Sequence, residues 1–278
     1  MNHQIIKFPN YQIMIGYTTF KNARIRYSDQ GEGRAIVLLH GFPLNMQVWE
    51  EFSEELSKHF RVIAIDLPGF GASESIGYFH SMELMAQCVH QVMRNLNLRR
   101  YIVAGHSMGG YAGLAFGELF PENLRGLIMF HSSSYQDSPE KKLDRDRSIE
   151  NIKKRTKTFL KAATLSLFAN PKDEHIKKVR EIVSNNSVRG MVEATEGMKD
   201  RKDREIILRF SEFPVLFIYG KYDKILPLEK MLPQTEVPRD TETVLLKNAG
   251  HMGFYEAKEE SLNAIIKFAN RCFRMPVE

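Results

Sequence analysis

The sequence predicts an α/β protein, a mostly parallel sheet flanked by helices, and three observations carry that reading. Short apolar or β-branched runs alternate with amphipathic segments of helix length along most of the chain. A serine stands in Gly105-His106-Ser107-Met108-Gly109, directly after the apolar run Tyr101-Ile102-Val103-Ala104 and just before a helix-like segment at 111–120. An aspartate and a histidine, Asp223 and His251, then follow later strand-like runs in that order.

Taken in order, strand-like runs occupy 17–20, 24–28 and 35–40. An amphipathic helix follows at about 46–59, with Val48, Trp49, Phe52 and Leu56 at turn-like spacing, and then a strand at 62–65. A second helix, 82–96, aligns Met85, Ala86, Val89, Val92, Met93 and Leu96 on one face. After the serine come strands at 127–130, 215–219 and 243–246, and a last helix carries Leu262, Ile265, Ile266, Ala269 and Phe273. Ligands of such a sheet are expected beyond the carboxyl ends of its strands. The interval 135–211 breaks the alternation, being rich in charge and helical in pattern, with helices expected at 142–157, 159–168, 173–184 and 187–198. The expected organisation is a core of residues 1–134 and 212–278 with a helical cap inserted at 135–211.

At 278 residues, 43% hydrophobic and 26% charged, the chain has the composition of a soluble globular protein with a sizeable core. No segment approaches the roughly 18 consecutive apolar residues of a membrane span, so no membrane insertion is expected. The first 20 residues mix Lys7, Pro9, Asn10 and Gln12 among apolar ones, unlike a signal peptide, and a cytoplasmic location is expected. Cys88 and Cys272 lie on apolar helix faces without a ligand cluster and are expected to fill core. The net charge of +5 comes from basic residues interspersed with acids, as in Lys141-Lys142-Leu143-Asp144-Arg145-Asp146-Arg147. That is a solvated mixed face, and no nucleic-acid partner is expected.

A serine flanked by glycines two residues away on each side, between strand and helix, fits a turn too tight for neighbouring side chains, which leaves its hydroxyl at the apex. A serine hydroxyl is a weak nucleophile and needs a histidine to take its proton and an acid to hold that imidazole. Asp223 closes the turn Gly220-Lys221-Tyr222-Asp223 and His251 closes Asn248-Ala249-Gly250-His251, each just past a strand. The order Ser, Asp, His differs from the orders of chymotrypsin-like and subtilisin-like proteases. Asp137, Asp200 and Asp203 share this half of the chain but follow no core strand directly, so Ser107, Asp223 and His251 are the catalytic candidates. An acyl-transfer oxyanion needs two fixed amide donors. Met108, after the nucleophile, supplies one, and Phe42 of His40-Gly41-Phe42-Pro43 the other, since Pro43 has no N–H.

The glycine-rich run Asp66-Leu67-Pro68-Gly69-Phe70-Gly71-Ala72-Ser73 lacks the Lys-Ser/Thr ending of a phosphate loop and is expected to be structural. His3, His59, His80, His90 and His175 are scattered without ligand spacing, so no metal site is expected. His106 is expected to pack or hydrogen-bond behind the serine. His131, just past the strand at 127–130, is a candidate for lining the substrate pocket, the alternative being a satisfied core histidine.

With Phe42, the 66–73 segment, the elbow, Asp223 and His251 in order, the chain resembles the α/β-hydrolase superfamily over nearly its whole length. The resemblance is closest to a capped, cofactor-free group of carboxylesterases, enol-lactone hydrolases, carbon–carbon bond hydrolases and serine perhydrolases. Ser107 argues against the haloalkane dehalogenase and epoxide hydrolase branches, where an aspartate holds that place. The carbon–carbon hydrolases usually carry asparagine where His106 stands, and Pro43 resembles the perhydrolases. The resemblance implies hydrolysis of a small or medium uncharged ester or lactone through an acyl-enzyme, with no cofactor and with perhydrolysis as a side activity. Met191, Val192, Met198, Phe159 and Phe168 are expected to make the inner face of the cap apolar. A small-molecule receptor on the same scaffold is the competing class, and a homodimer is left open.

Overall fold

The computed structural model describes residues 4–7, 12–154 and 157–275. Among them one sheet is built from β1 (Gln4–Lys7), β2 (Gln12–Phe20), β3 (Ala23–Gln30), β4 (Ala35–Leu39), β5 (Arg61–Ile65), β6 (Tyr101–His106), β7 (Leu124–Phe130), β8 (Val215–Gly220) and β9 (Thr241–Leu246). Its strand order is β1, β2, β3, β5, β4, β6, β7, β8, β9. The pairings β1–β2, β2–β3 and β3–β5 are antiparallel and every later one is parallel. The helices are α1 (Glu50–Leu56), α2 (Met82–Asn95), α3 (Met108–Leu119), α4 (Pro139–Lys153), α5 (Lys157–Ser166), α6 (Ile176–Ser184), α7 (Val188–Lys199), α8 (Glu205–Arg209), α9 (Leu228–Met231), α10 (Gly253–Glu256) and α11 (Lys258–Arg274).

Successive side chains of a strand point to opposite faces, and the central strands, apolar throughout, therefore feed two cores. Val37, Leu39, Ile63, Ile65 and Val103 join α2 and α3 on one face, while Ile36, Leu38, Val62, Ala64 and Ile102 join α1 and α11 on the other. Cys88 sits in the first core and Cys272 in the second, both buried and free. Burial pushes the Cys272 thiol up to about 12, so it stays protonated at neutral pH. No described helix is long and apolar enough to cross a membrane.

Two elements differ from the sequence expectation for physical reasons. The helix expected at 46–59 is a 3-10 turn, Met46–Trp49, running into α1. Asn45 caps the Gln47 amide and the Asp66 carboxylate takes the Met46 amide at 2.8 Å, which fixes a tight entry. The strand expected from Tyr17 starts earlier, at Gln12. Gly16 interrupts the apolar pattern there because Tyr27 lies across it; a β-carbon at Gly16 would come within 2.3 Å of that ring.

Helices α4 to α8 all lie between β7 and β8. They join both cores: Ile152, Met191, Ala194 and Met198 the α2/α3 side, Leu167, Phe168, Ile176, Val179 and Ile182 the α1/α11 side. Helix α7 meets the core backbone through glycines two turns apart. A β-carbon at Gly190 would lie 1.9 Å from the Gly69 carbonyl oxygen, and one at Gly197 would lie 1.8 Å from that of His80. Asn186, between α6 and α7, donates to the Pro43 carbonyl at 2.7 Å and accepts from the Gly71 amide at 2.9 Å. The segment 66–73 is thus a brace. Asp66 is buried, and burial raises its carboxyl against hydrogen bonds from the Ala72 and Met46 amides and the charge of Arg26.

Candidate active site

Parallel strands that end in register deliver the loops after them to one rim. Leu39 of β4 pairs with Gly105 of β6, Gly105 with Met129 of β7, Phe130 with Ile218 of β8, and Gly220 with Leu246 of β9. Phe42, Ser107, His131, Asp223 and His251 each lie within a few residues of one of these ends.

Ser107 joins β6 to α3 with φ 50° and ψ −114°, a left-handed value that is costly for a residue with a β-carbon. Packing enforces it. A β-carbon at Gly105 would lie 2.3 Å from the Gly109 carbonyl oxygen, one at Gly109 would lie 2.4 Å from that of Leu39, and one at Gly110 would lie 2.2 Å from Ser132 Oγ. Ser132 Oγ also donates to the Ser107 carbonyl at 2.8 Å. Among the described residues the Ser107 hydroxyl makes no hydrogen bond, and the side chain keeps 8% exposure.

The loop after β4 lies against this elbow. A β-carbon at Gly41 would come within 3.1 Å of Ser107 Cβ and 2.4 Å of His106 Nδ1. Phe42 and Pro43 are joined by a cis peptide, and the turn closes through the Leu44 amide to the Gly41 carbonyl at 2.9 Å. That leaves the Phe42 amide outside the turn's own bond. Met108 opens α3, where a first-turn amide has no acceptor within the helix. His40 holds the loop from below, accepting from the Leu67 amide on Nε2 and facing the Gly41 carbonyl with Nδ1, each at 3.0 Å.

Asp223 gathers the histidines. Its Oδ1 accepts the amides of Ile225 and Leu226 at 2.8 and 2.9 Å, and its Oδ2 faces Nδ1 of His251 at 2.7 Å and Nδ1 of His131 at 3.2 Å. Burial works against the ionised form, yet the charge of His251 and the hydrogen bonds from His131 and His251 outweigh it, holding the carboxyl well below the ordinary range. The other acids are engaged elsewhere: Asp137 pairs with Arg145 and Arg201, and Asp203 caps the Glu205 amide. His131, Asp223 and His251 also offer three metal-ligating atoms within 4.8 Å of one another. An ion there would have to displace both Nδ1 protons from the carboxylate at a site with almost no exposed surface, so the residues fit a hydrogen-bonded network better than a metal centre.

His131 has no exposed surface and sits behind Asp223, with Nε2 3.2 Å from the Gly253 amide. Both ring nitrogens face the interior, the arrangement that goes with a satisfied core histidine, the alternative to lining the pocket. His106 donates from Nε2 to the His251 carbonyl at 2.8 Å, tying the residue before the serine to the backbone of the histidine. From the other side, the His251 amide donates to the Leu167 carbonyl at 2.8 Å. Glu256 accepts from the amides of Ala169, Gly250 and Met252 at 2.6, 2.8 and 3.2 Å, clamping the His251 loop to the helical insertion. The sequence carries no local sign of Glu256 or Asn186 as links between insertion and rim, because the partners that make them so, the Ala169 amide for Glu256 and the Pro43 carbonyl and Gly71 amide for Asn186, belong to distant segments.

Four buried imidazoles make the fold acid-sensitive. Burial lowers His40 from 6.5 to about 4, and burial likewise pushes His80, His106 and His131 down. Such groups protonate in the unfolded chain before they do in the native one. Stability is therefore full above about pH 6.5 and is lost as pH falls toward 4, with His40 alone worth about 3 kcal/mol. Asp66 and Glu256, raised by burial, offset part of that loss. The Tm measured by calorimetry is expected to fall between about pH 7 and about pH 4.5; a constant Tm would contradict the neutral buried imidazoles.

Comparison with known proteins identifies the family. The family model for the alpha/beta hydrolase fold matches residues 34–258. The AB hydrolase superfamily protein YisY of Bacillus subtilis is 28% identical over 262 residues, covering 91% of this chain and 97% of that protein. A pimeloyl-[acyl-carrier protein] methyl ester esterase of Aliivibrio fischeri is 26% identical over 255 residues, covering 88% and 97%. A thermophilic esterase from Thermogutta terrifontis superposes with a TM-score of 0.86 at 29% identity, covering 98% of this chain and 99% of that one. Sheet order, serine elbow and the match over 34–258 together place this chain in the α/β-hydrolase fold family.

Proposed function

We propose that the protein is a serine hydrolase that cleaves carboxylic esters or lactones of small to medium size through an acyl-enzyme. The observation that carries the reading is the 2.7 Å contact between Asp223 Oδ2 and His251 Nδ1, on the same rim as a serine held at φ 50°. With Nδ1–H donated to the carboxylate, Nε2 of His251 is the basic nitrogen, free to take the Ser107 proton as the hydroxyl attacks the ester carbonyl. The Phe42 and Met108 amides receive the oxyanion, His251 returns the proton to the leaving alcohol, and a water deprotonated by the same imidazole releases the acid. A protonated imidazole cannot begin this cycle, so kcat/KM falls on acidification.

Residues 135–211 act as the cap. They are riveted to the rim at Asn186 and Glu256 and carry the walls that select the acyl group. Met191, Met198 and Phe168 are buried in the two cores, which leaves the half-buried Val192 as the apolar residue of the expected set with surface to offer; the side chain of Phe159 lies outside the described residues. The esterases among the relatives favour ester cleavage.

A panel of p-nitrophenyl esters, lactones and β-diketones, run with and without peroxide, tests the reading. Linear, multiple-turnover release from short-chain esters is the expected result. One equivalent of p-nitrophenol followed by a stalled adduct would replace the enzyme with a receptor.

A further inference from the structure

One buried imidazole is not used by the mechanism above. Nδ1 of His131 lies 3.2 Å from Asp223 Oδ2 and 3.2 Å from the Gly220 amide, and Nε2 lies 3.2 Å from the Gly253 amide. A neutral imidazole accepts on one nitrogen only, so it takes one of the two amides and not both. The ionised carboxylate decides between them: a proton on Nδ1 is donated to Oδ2 and leaves Nε2 to accept from Gly253, whereas a proton on Nε2 would set a lone pair against the carboxylate. The ring is also held by stacking on Phe130, with centroids 5.1 Å apart and planes 18° apart. The titratable groups facing it are Asp223 from the turn after β8, His251 from the loop after β9 at 5.5 Å between rings, and His106 from β6 at 6.0 Å. Tyr219, one strand over, spends its hydroxyl on the Ser132 carbonyl.

We propose that His131 is a positioning residue: it donates a fixed Nδ1–H to the same Asp223 oxygen that holds His251, so two imidazoles share one carboxylate and together set the pH range in which His251 works as base. The proposal rests on the serine-hydrolase reading for its kinetic consequence but not for its geometry. A donor on Oδ2 takes up part of that oxygen's charge. Removing it leaves the whole carboxylate to His251, which makes the imidazolium easier to form and moves the acid limb of activity to higher pH.

The test compares His131→Leu, which removes the donor, with His131→Asn. The asparagine amide stands where Nδ1 does, and asparagine tolerates the left-handed backbone found here, φ 47°. In kcat/KM profiles on p-nitrophenyl butyrate, His131→Leu is expected to move the acid limb up by about one pH unit, and His131→Asn to restore it. An unmoved limb in a folded His131→Leu protein that still turns over ester would overturn the proposal alone. Nitrogen-15 NMR of the wild-type histidines decides the matter should the leucine variant not fold, or should the wild type show no ester turnover and so refute the hydrolase reading. The His131 proton is expected on Nδ1 throughout roughly pH 5 to pH 9; a proton on Nε2, or titration within that range, would refute the shared carboxylate.

Discussion

Ser107→Ala is expected to lower kcat/KM on p-nitrophenyl esters by on the order of 10⁵ while leaving Tm essentially unchanged. The loss corresponds to about 7 kcal/mol of transition-state stabilisation, the size seen when a nucleophile that acts with its base as one unit is removed. Stability is spared because the Ser107 hydroxyl makes no hydrogen bond among the described residues, while the backbone contacts that define the elbow remain. These are Ser107 N–H to the Phe130 carbonyl at 2.9 Å and Ser132 Oγ to the Ser107 carbonyl at 2.8 Å. Alanine also keeps the β-carbon and so the same backbone preference. Labelling by a fluorophosphonate separates the chemistry from the fold: the wild type should carry the adduct on the peptide containing Ser107, and the variant none. Activity within tenfold of wild type in a folded Ser107→Ala protein would move the nucleophile elsewhere.

What the sequence made legible follows from how locally each feature is encoded. Strands β4 to β8 are buried on both faces, so they read as apolar runs whose ends mark the rim, and the elbow is spelled by glycines that three close approaches require, two to backbone carbonyls and one to the Ser132 side chain. The antiparallel edge is less legible, because a half-buried strand alternates and Gly16 hides the alternation of β2 for the sake of Tyr27. Helix α3 was expected from residue 111 and begins at Met108, since the pair Gly109-Gly110, which looks like a loop, is what lets the helix start against Leu39 and Ser132. The five-residue α8 is too short to show a periodicity of its own.

The site was legible where a residue sits next to a strand end and obscure where its role depends on a distant backbone. Ser107, Asp223 and His251, the candidates the sequence offers, each follow a strand whose end lies on one rim. His131 also follows a strand end, and the same logic gave it a wall of the pocket; only the sharp turn at φ 47° sends its ring down behind Asp223. Glu256 and Asn186 are invisible for the same reason that they matter. Glu256, on the core, holds an amide of the insertion together with two of its own loop, and Asn186, on the insertion, holds an amide and two carbonyls of the core. They join the helical insertion to the loops after β4 and β9, so insertion and rim are one mechanical unit.

Asp223→Asn is expected to reduce kcat by about 10⁴ and, unlike the serine variant, to destabilise the fold as well. The reason lies in how the carboxylate is held. Oδ1 accepts two backbone amides, Ile225 and Leu226, so an asparagine must leave its carbonyl oxygen there and turn its NH₂ toward the imidazoles. An NH₂ donates where a carboxylate accepted. The His251 proton is driven from Nδ1 to Nε2, the nitrogen that should take the Ser107 proton, and the imidazolium loses its counter-charge. His131 faces the same donor, and moving its proton to Nε2 gives up the Gly253 amide on Nε2 and takes the Gly220 amide on Nδ1, each at 3.2 Å, so the fold loses the charged acceptor that both imidazoles shared. A hydrogen bond to a charged group is worth about 1 kcal/mol more than a neutral one, so a lower Tm should accompany the kinetic loss. Measuring both separates two possibilities: a 10⁴-fold slower enzyme with wild-type Tm would mean that His131 gives Asp223 no hydrogen bond. Asp223→Asn turning over ester within tenfold of wild type would instead remove Asp223 from the reaction, leaving His251 to be held by something other than the carboxylate.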